Sequence, residues 1–139
     1  MRAQRIVMPP TAFSLGRGKK RPRKEDTDHL EFIRRLPCLV SGSGFYVEAA
    51  HIRYGDQSYG KRETGAGEKP DDRWCVPLQR LAHEDQHKHG EREWWQSIGI
   101  DPLRVACALW GASGDEEAGR LIIANARADR SAHTKGEGT

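Results

Sequence analysis

The sequence predicts an α+β fold in which a two-stranded hairpin and the helix after it are surrounded by further helices. Residues 45–52 and 73–78 are short runs with the apolar alternation of strands. Segments before and after these runs carry apolar residues at helical spacing and end at Gly or Pro. With 139 residues, the chain is long enough for one modest core, so we expect a single domain.

Helix boundaries are predicted from capping residues and from Pro and Gly. The first helix is expected to begin at Asp28, with Glu31 as its capping-box partner, and to end at Pro37. The helix after the second strand carries His83 and His87 and ends near a glycine. These boundaries place one helix before the hairpin and one directly after it.

Three further helices are predicted toward the C-terminus. One covers residues 91–98, and the next has Asp101 as N-cap and Pro102 at its first position. The last starts near Asp115 and is expected to bury three apolar side chains. These are Ala118, Leu121 and Ile122.

Basic residues are concentrated at the N-terminus. The net charge is +3, but eight bases precede the first acid, Glu25, so the remainder carries 23 − 8 = 15 bases against 20 acids. We predict that residues 1–26 form a disordered basic arm, which either contacts nucleic-acid phosphate or is only a solvated leader. The folded domain is then 27–130, and 131–139 is expected to be a frayed tail.

Composition favours a polar protein of a reducing cytoplasm. The mean hydropathy is −0.80, and no stretch approaches the roughly 20 apolar residues of a membrane span. No apolar segment follows the N-terminal charges, so we expect no secretory signal. The three cysteines are unevenly spaced and include no CxxC pair, which favours free thiols over disulfides.

Four of the six histidines lie between Glu48 and His89. His83 and His87 are four residues apart on a predicted helix, so both rings share one face at a spacing that suits two ligands of one metal ion. His51 ends the first predicted strand and is a candidate general base, because a neutral imidazole accepts a proton near pH 7. Asp72 precedes the second strand and could orient this base or reach the metal.

These residues predict metal-dependent hydrolysis of a phosphodiester bond, since a divalent ion would stabilise charge on the leaving oxygen. The alternative is a structural His51 and a chance HxxxH spacing, but the order of strand, loop, strand and helix favours the site. The long connection 53–72 is either a substrate-binding loop or an idle insertion. The residues predicted to contact DNA are Arg53, Lys61, Arg62, Lys69 and Arg73, with Lys19, Lys20 and Arg21 in the arm.

Several segments together resemble a known family. They are Pro37-Cys38-Leu39-Val40, residues 48–53, residues 69–78, His83 to His87, and Gly99-Ile100-Asp101-Pro102. Across about residues 28–110 the chain resembles phage and prophage HNH (ββα-metal) nucleases related to the recombination-enhancement nuclease Ref.

The resemblance implies a ββα-metal core and a DNA endonuclease that uses a divalent ion, which would be Mg, Mn, Ni or Zn. It implies His51 as general base, Asp72 at or near the middle, Asn-like position, and His83 and His87 as metal ligands. A phage packaging or recombination protein is the implied partner. The alternative is an HNH-fold module that binds DNA or an assembly partner without cutting. A weaker third alternative is metal storage through a set comprising His83, His87, His89 and Cys75.

The chain departs from the family pattern in two places. Ala50 stands where many members have a metal-binding His, so a third ligand would come from Glu48, Asp56 or Asp72, or from water and phosphate. The other departure concerns the family's structural zinc, of whose ligands only Cys38 remains. Its other places hold Ser41, Gln79 and Ala82, so no structural zinc is expected.

Overall fold

The computed structural model describes residues 25–64 and 69–138, with side chains described as far as residue 130. Within these ranges the fold is α+β, as predicted, with five α-helices and a two-stranded antiparallel sheet. Lys19, Lys20 and Arg21 of the predicted arm lie outside the described residues. No described helix is both long and apolar enough to cross a membrane.

The elements follow the predicted order. The strands are β1 (Val47–His51) and β2 (Cys75–Gln79), and a short 3-10 turn, Gln57–Tyr59, lies in the connection between them. The helices are α1 (Thr27–Arg34), α2 (Arg80–His87), α3 (Glu91–Ile98), α4 (Pro102–Gly111) and α5 (Glu116–Gly138).

Helix α1 begins slightly earlier than the sequence predicts. Its N-cap is Asp26, whose carboxylate accepts the backbone N–H of His29 at 3.0 Å, so the predicted start at Asp28 is wrong. The reason is tertiary, because the backbone N–H of Asp26 donates to Asp72 Oδ2 at 2.8 Å and this bond holds residue 26 at the cap. The start of α1 is thereby tied to the residue that precedes β2.

The two strands pair in a single register, with Val47 opposite Gln79 and His51 opposite Cys75. Pro77 lies on an edge strand, as predicted, and its carbonyl accepts the N–H of Leu39 at 2.9 Å. The loop after α1 therefore covers the outer edge of β2. Residues 75–78 are all buried, so both faces of β2 are covered rather than the single face that alternation predicts.

Helix α5 packs against α1 at a glycine. A Cβ at Gly119 would lie 2.8 Å from Leu36 and 2.9 Å from Phe32, so a larger residue would require these buried side chains to shift. Ile123, one turn later, is 1% exposed, whereas Leu121 is 62% exposed and the prediction that it is buried is wrong. The helix continues to Gly138, past the predicted boundary at residue 130.

Helices α2 and α3 form a corner beside the sheet. Helix α2 follows β2 without a loop, and its Asp85 accepts the indole N–H of Trp94 at 2.9 Å. Trp94 and Trp95 are both buried, with their rings edge to face at 4.9 Å. This packing fixes the angle between α2 and α3 and leaves the histidine face of α2 toward β1.

Candidate active site

The predicted chemical residues meet in a cleft of about 320 Å³ beside β1, α2 and the start of α3. His51 from the end of β1 and the two histidines of α2 all line it. Its full lining is Ala49, His51, Arg53, Lys69, Pro70, His83, Gln86, His87, His89 and Glu91. The fold thus gathers three candidate side chains from two elements that are far apart in sequence.

His51 is paired with a buried carboxylate. Its Nε2 lies 2.8 Å from Asp72 Oδ1, and the Asp72 side chain is 2% exposed against 22% for His51. Donation from Nε2–H to this carboxylate leaves Nδ1 as the basic nitrogen of the ring. The second oxygen of Asp72 accepts the backbone N–H of Asp26, so the carboxylate is held at both ends. Asp72 therefore orients His51, which is the first of its two predicted roles.

His83 and His87 are in direct hydrogen-bond contact through their Nε2 atoms. Their Nε2 atoms lie 3.2 Å apart and their ring centroids 4.6 Å apart. Metal–nitrogen bonds of about 2.0–2.1 Å place two ligand nitrogens about 3 Å apart on one ion, so the spacing is compatible with a divalent ion that would replace the proton between the two rings. The helical spacing predicted this shared face, and the structure adds the close approach of the two Nε2 atoms.

Glu48 contacts Nδ1 of His83, the ring nitrogen that does not face His87. Its Oε1 lies 2.9 Å from His83 Nδ1, and its Oε2 accepts Arg80 Nε–H at 3.2 Å. The hydrogen bond from His83 lowers the pKa of the Glu48 carboxyl, and Arg80 adds to the effect. A carboxylate on the far nitrogen of a metal-binding histidine fixes its tautomer and makes it a better ligand. Glu48 therefore occupies an orienting place rather than that of a third ligand.

The other two protein candidates for a third ligand are also engaged. Asp56 accepts the backbone N–H of Ser58 at 2.9 Å, and Asp72 is held by His51 and Asp26. Among the described residues, no group of three or more His, Cys, Asp or Glu side chains is arranged to hold a metal ion. Of the predicted sources of further ligands, water and a substrate phosphate fit this arrangement best.

Position 50 does not line the cleft. Ala50 pairs with Val76 in the sheet and is 2% exposed in the core, whereas its neighbour Ala49 lines the cleft. Period-two alternation places consecutive strand residues on opposite faces, and His51 takes the cleft face with Ala49. A longer side chain at position 50 would have to displace core atoms.

Glu91 is a cleft residue that was not predicted from the sequence. Its carboxylate accepts the backbone N–H of Arg53 at 3.0 Å and clamps the chain just after His51. Burial raises the pKa of the Glu91 carboxyl, and the hydrogen bonds from Arg53 and Tyr54 act in the opposite direction. The only sequence signal was an acid at the start of a helix after Gly90, which is common at helix N-termini and points to no site.

The predicted DNA-binding bases among the described residues line the histidine cleft, a neighbouring cavity or both, and Lys61 is one of those at the neighbouring cavity. Arg53 and Lys69 line the cleft, while Arg62, Lys69 and Arg73 line a neighbouring cavity. Lys61 is 4% exposed, and its ammonium donates to the carbonyls of Arg53 at 3.2 Å and Arg62 at 3.4 Å. Burial lowers the pKa of Lys61, and in this position it supports the loop rather than a ligand.

Of the four residues at the zinc positions of the resembled family, Cys38, Ser41 and Gln79 are joined by hydrogen bonds. Ser41 Oγ donates to Gln79 Oε1 at 2.9 Å, and the backbone N–H of Ser41 lies 3.4 Å from Cys38 Sγ. Arg127 and Arg130 of α5 donate to the carbonyls of this loop. The loop is thus held by side-chain and helix contacts, and the expectation of no structural zinc stays a prediction.

Comparison of the chain with protein-family models, with curated proteins and with solved structures gave no match. The family resemblance therefore stays a prediction from the sequence.

Proposed function

We propose that this protein is a metal-dependent endonuclease of the HNH type that hydrolyses phosphodiester bonds in DNA, with a ββα-metal core formed by β1, β2 and α2. One observation carries the proposal. His51, oriented by buried Asp72, lines the same cleft as the closely spaced pair His83 and His87. This hydrolysis needs a general base that does not bind the metal and a separate set of metal ligands. His51 can provide the first, and His83 with His87 can provide the second.

His51 acts as the general base. With Nε2–H donated to Asp72, Nδ1 takes a proton from a water molecule as the water oxygen attacks phosphorus. The bond from phosphorus to the leaving sugar oxygen then breaks, and that oxygen leaves with a proton from solvent. The negative Asp72 stabilises the imidazolium that forms on His51, in the way that a buried carboxylate supports a catalytic histidine elsewhere.

His83 and His87 would hold the divalent ion, and Glu48 orients His83 for this role. When bound, the ion stabilises the charge that develops on the leaving oxygen. Two neutral nitrogen ligands make a modest site, so we expect the ion to be exchangeable and activity to depend on added metal.

DNA is the proposed substrate because basic side chains border the cleft. Arg53 and Lys69 line it and would contact the phosphates on either side of the scissile bond. Contacts to phosphates carry no sequence information, so weak or absent sequence preference is expected. A packaging or recombination protein is a proposed partner for which the described residues offer no specific surface.

The second candidate is an HNH-like module that binds DNA without cutting it. It is favoured by the buried Ala50 and by the absence, among the described side chains, of three groups arranged to hold a metal. In that case, an ion held weakly by the two histidines would help the module to bind DNA or an assembly partner and would not catalyse hydrolysis.

A plasmid-nicking assay separates the two candidates. Wild-type protein is incubated with supercoiled plasmid and Mg²⁺, Mn²⁺, Ni²⁺ or Zn²⁺. EDTA provides the metal-free control, and the His51→Ala variant provides the control without the proposed base. Nicking that requires both the metal and His51 supports the nuclease. Binding of DNA without nicking under any of these ions, from mildly acidic to alkaline pH, supports the binding module.

A further inference from the structure

A second cavity of about 280 Å³ lies next to the histidine cleft and shares Lys69 and Pro70 with it. Its lining contains four bases and one acid, together with two indole rings. The residues are Gly60, Lys61, Arg62, Thr64, Lys69, Pro70, Asp71, Arg73, Trp74 and Trp110. The proposed nuclease chemistry uses none of the aromatic groups of this cavity.

The guanidinium of Arg73 lies over both indole rings of the cavity. Its Cζ lies 4.5 Å from the centroid of the Trp74 ring and 5.8 Å from that of Trp110. The buried Nε–H of Arg73 has no hydrogen-bond acceptor among the residues that the structure describes. A buried donor without an acceptor is costly, and it is not compensated by any described residue. Because the Arg73 side chain lines the cavity, the other N–H groups of its guanidinium would give a phosphate oxygen bound there strong, charge-assisted hydrogen bonds.

Trp110 supplies the apolar part of the cavity. It is 36% exposed, which is unusual for so large a ring, while Trp74 is 6% exposed. His29 supports Trp110 in an edge-on contact at 4.9 Å, so the exposed ring is fixed in place. A rigid, partly exposed indole beside a guanidinium is the arrangement on which nucleic-acid bases stack.

We propose that this cavity binds one unpaired nucleotide of the DNA strand that crosses the histidine cleft. Its phosphate is held by Arg73 and Lys69, and its base stacks on Trp110. A volume near the lower end of small-molecule pockets suits one nucleotide, and a paired base cannot reach such a pocket without leaving its stack. The proposal rests on the proposed function, since the same strand would place its next phosphate at His51.

The test measures binding in EDTA, where no metal-dependent cleavage occurs. Labelled oligothymidylate of about twelve nucleotides, a duplex of equal length and an abasic deoxyribose-phosphate strand are titrated by fluorescence anisotropy. We expect wild type to prefer oligothymidylate to the abasic strand by about five-fold or more. Trp110→Ala should lose this preference, and Trp110→Phe, which keeps a stacking ring, should retain most of it.

The phosphate contact is tested with two arginines of equal charge. Arg73→Gln should weaken oligothymidylate binding and reduce the salt slope by about 0.7, whereas Arg120→Gln, on an exposed face of α5, should change neither. Arg73→Lys, which keeps the charge, should restore most of the affinity if folding is intact by circular dichroism.

Equal binding of the abasic strand and oligothymidylate by wild type would overturn the proposal, as would normal base preference in Trp110→Ala. The result is independent of cleavage. If the wild-type protein never nicks plasmid but shows the expected binding differences, the nucleotide pocket is supported and the nuclease proposal is rejected. If the wild-type protein nicks DNA and Trp110→Ala shows normal base preference, the nuclease proposal is supported and the pocket is rejected.

Discussion

The Nε2 atom of His51 lies 2.8 Å from Oδ1 of Asp72, and this contact joins the end of one strand to the residues just before the next. The carboxylate is almost fully buried, while the imidazole keeps one side toward the cleft. Such a pair gives the ring one tautomer and one orientation, which are the properties that a general base needs. Both members of the pair can be tested by substitution.

Replacing His51 by Ala should abolish metal-dependent nicking and leave DNA affinity within a few fold, because the base acts in the chemical step and contributes little to binding. Single-turnover cleavage and anisotropy measure the two effects separately. His89→Ala is the matched control, since its ring lines the same cleft but is 55% exposed and lies 3.7 Å from Asp85. A His51→Ala protein that cuts at the wild-type rate would remove His51 from the mechanism.

Asp72→Asn should reduce the cleavage rate about 10²- to 10⁴-fold, the range of a general base, with little change in metal affinity. The amide oxygen can still accept the N–H of Asp26, but its NH₂ group then faces His51 and favours the other ring tautomer. Nitrogen-15 NMR of His51 reports the tautomer directly. An unchanged tautomer together with an unchanged rate would contradict the orienting role of Asp72.

Glu48→Gln should weaken divalent-metal affinity about 10- to 100-fold, since it removes the negative partner of His83 Nδ1. Raising the metal concentration should then restore much of the rate, whereas His87→Ala, which removes a ligand, should recover less. Titration calorimetry with Mn²⁺ measures the affinity. Glu117→Gln, exposed on α5, is the control for removal of one acidic charge. Equal metal affinity in Glu48→Gln and wild type would argue against this site.

The stability of the protein should fall as the pH drops below about 6.5, in part because of His29. This side chain is fully buried, and burial lowers its pKa while Asp26 and Asp72 act in the opposite direction. The unfolded chain therefore binds a proton near pH 6.5 that the folded chain does not bind until a lower pH. Above about pH 6.5 the protonation of His29 does not reduce the free energy of unfolding. Below that pH the free energy of unfolding decreases until the pH reaches the pKa of His29 in the folded state.

Between these two pKa values, His29 lowers the free energy of unfolding by up to about 1.4 kcal/mol for each unit that the pH falls. Urea unfolding at several pH values should show a flatter acid limb in His29→Gln, which keeps a group able to bond Ser113, the partner of His29 Nδ1 at 2.8 Å. His89→Gln should follow wild type. Parallel acid limbs in His29→Gln and wild type would assign the decrease in stability to other groups.

Deleting residues 1–25 should weaken DNA binding broadly across sequences, because the deletion removes the eight bases that precede the first acid. By counterion release, the salt dependence should decrease by up to about 0.9 in slope for each duplex phosphate that these bases neutralise. Affinity measured between about 50 and 200 mM salt tests this expectation. An unchanged slope would mean that the segment is only a solvated leader.

Local patterns in the sequence were enough to place most elements. Asp101 and Pro102 cap α4 as predicted, with Asp101 Oδ1 accepting the N–H of Leu103 at 3.1 Å. The four-residue spacing of His83 and His87 was enough to put both rings on one helical face. These features depend on neighbours within about one turn of chain, so a single sequence contains the information.

The structure alone decided which distant groups meet. Glu48 was one of several possible metal ligands until the packing of α2 against β1 placed its carboxylate at His83 Nδ1. Lys61 was predicted to contact DNA from its charge, yet the loop folds its ammonium onto two carbonyls. Nothing in the spacing of Arg73 and Trp110 indicated that they would share a cavity wall.

By itself, then, the sequence determined the order of strands and helices and the face that His83 and His87 share. Tertiary structure decided that His51 pairs with Asp72, that Glu48 supports His83 and that Ala50 belongs to the core. The physical reason is that capping and periodicity are local. Side-chain pairs across many residues form only where burial of the common core brings their backbones together.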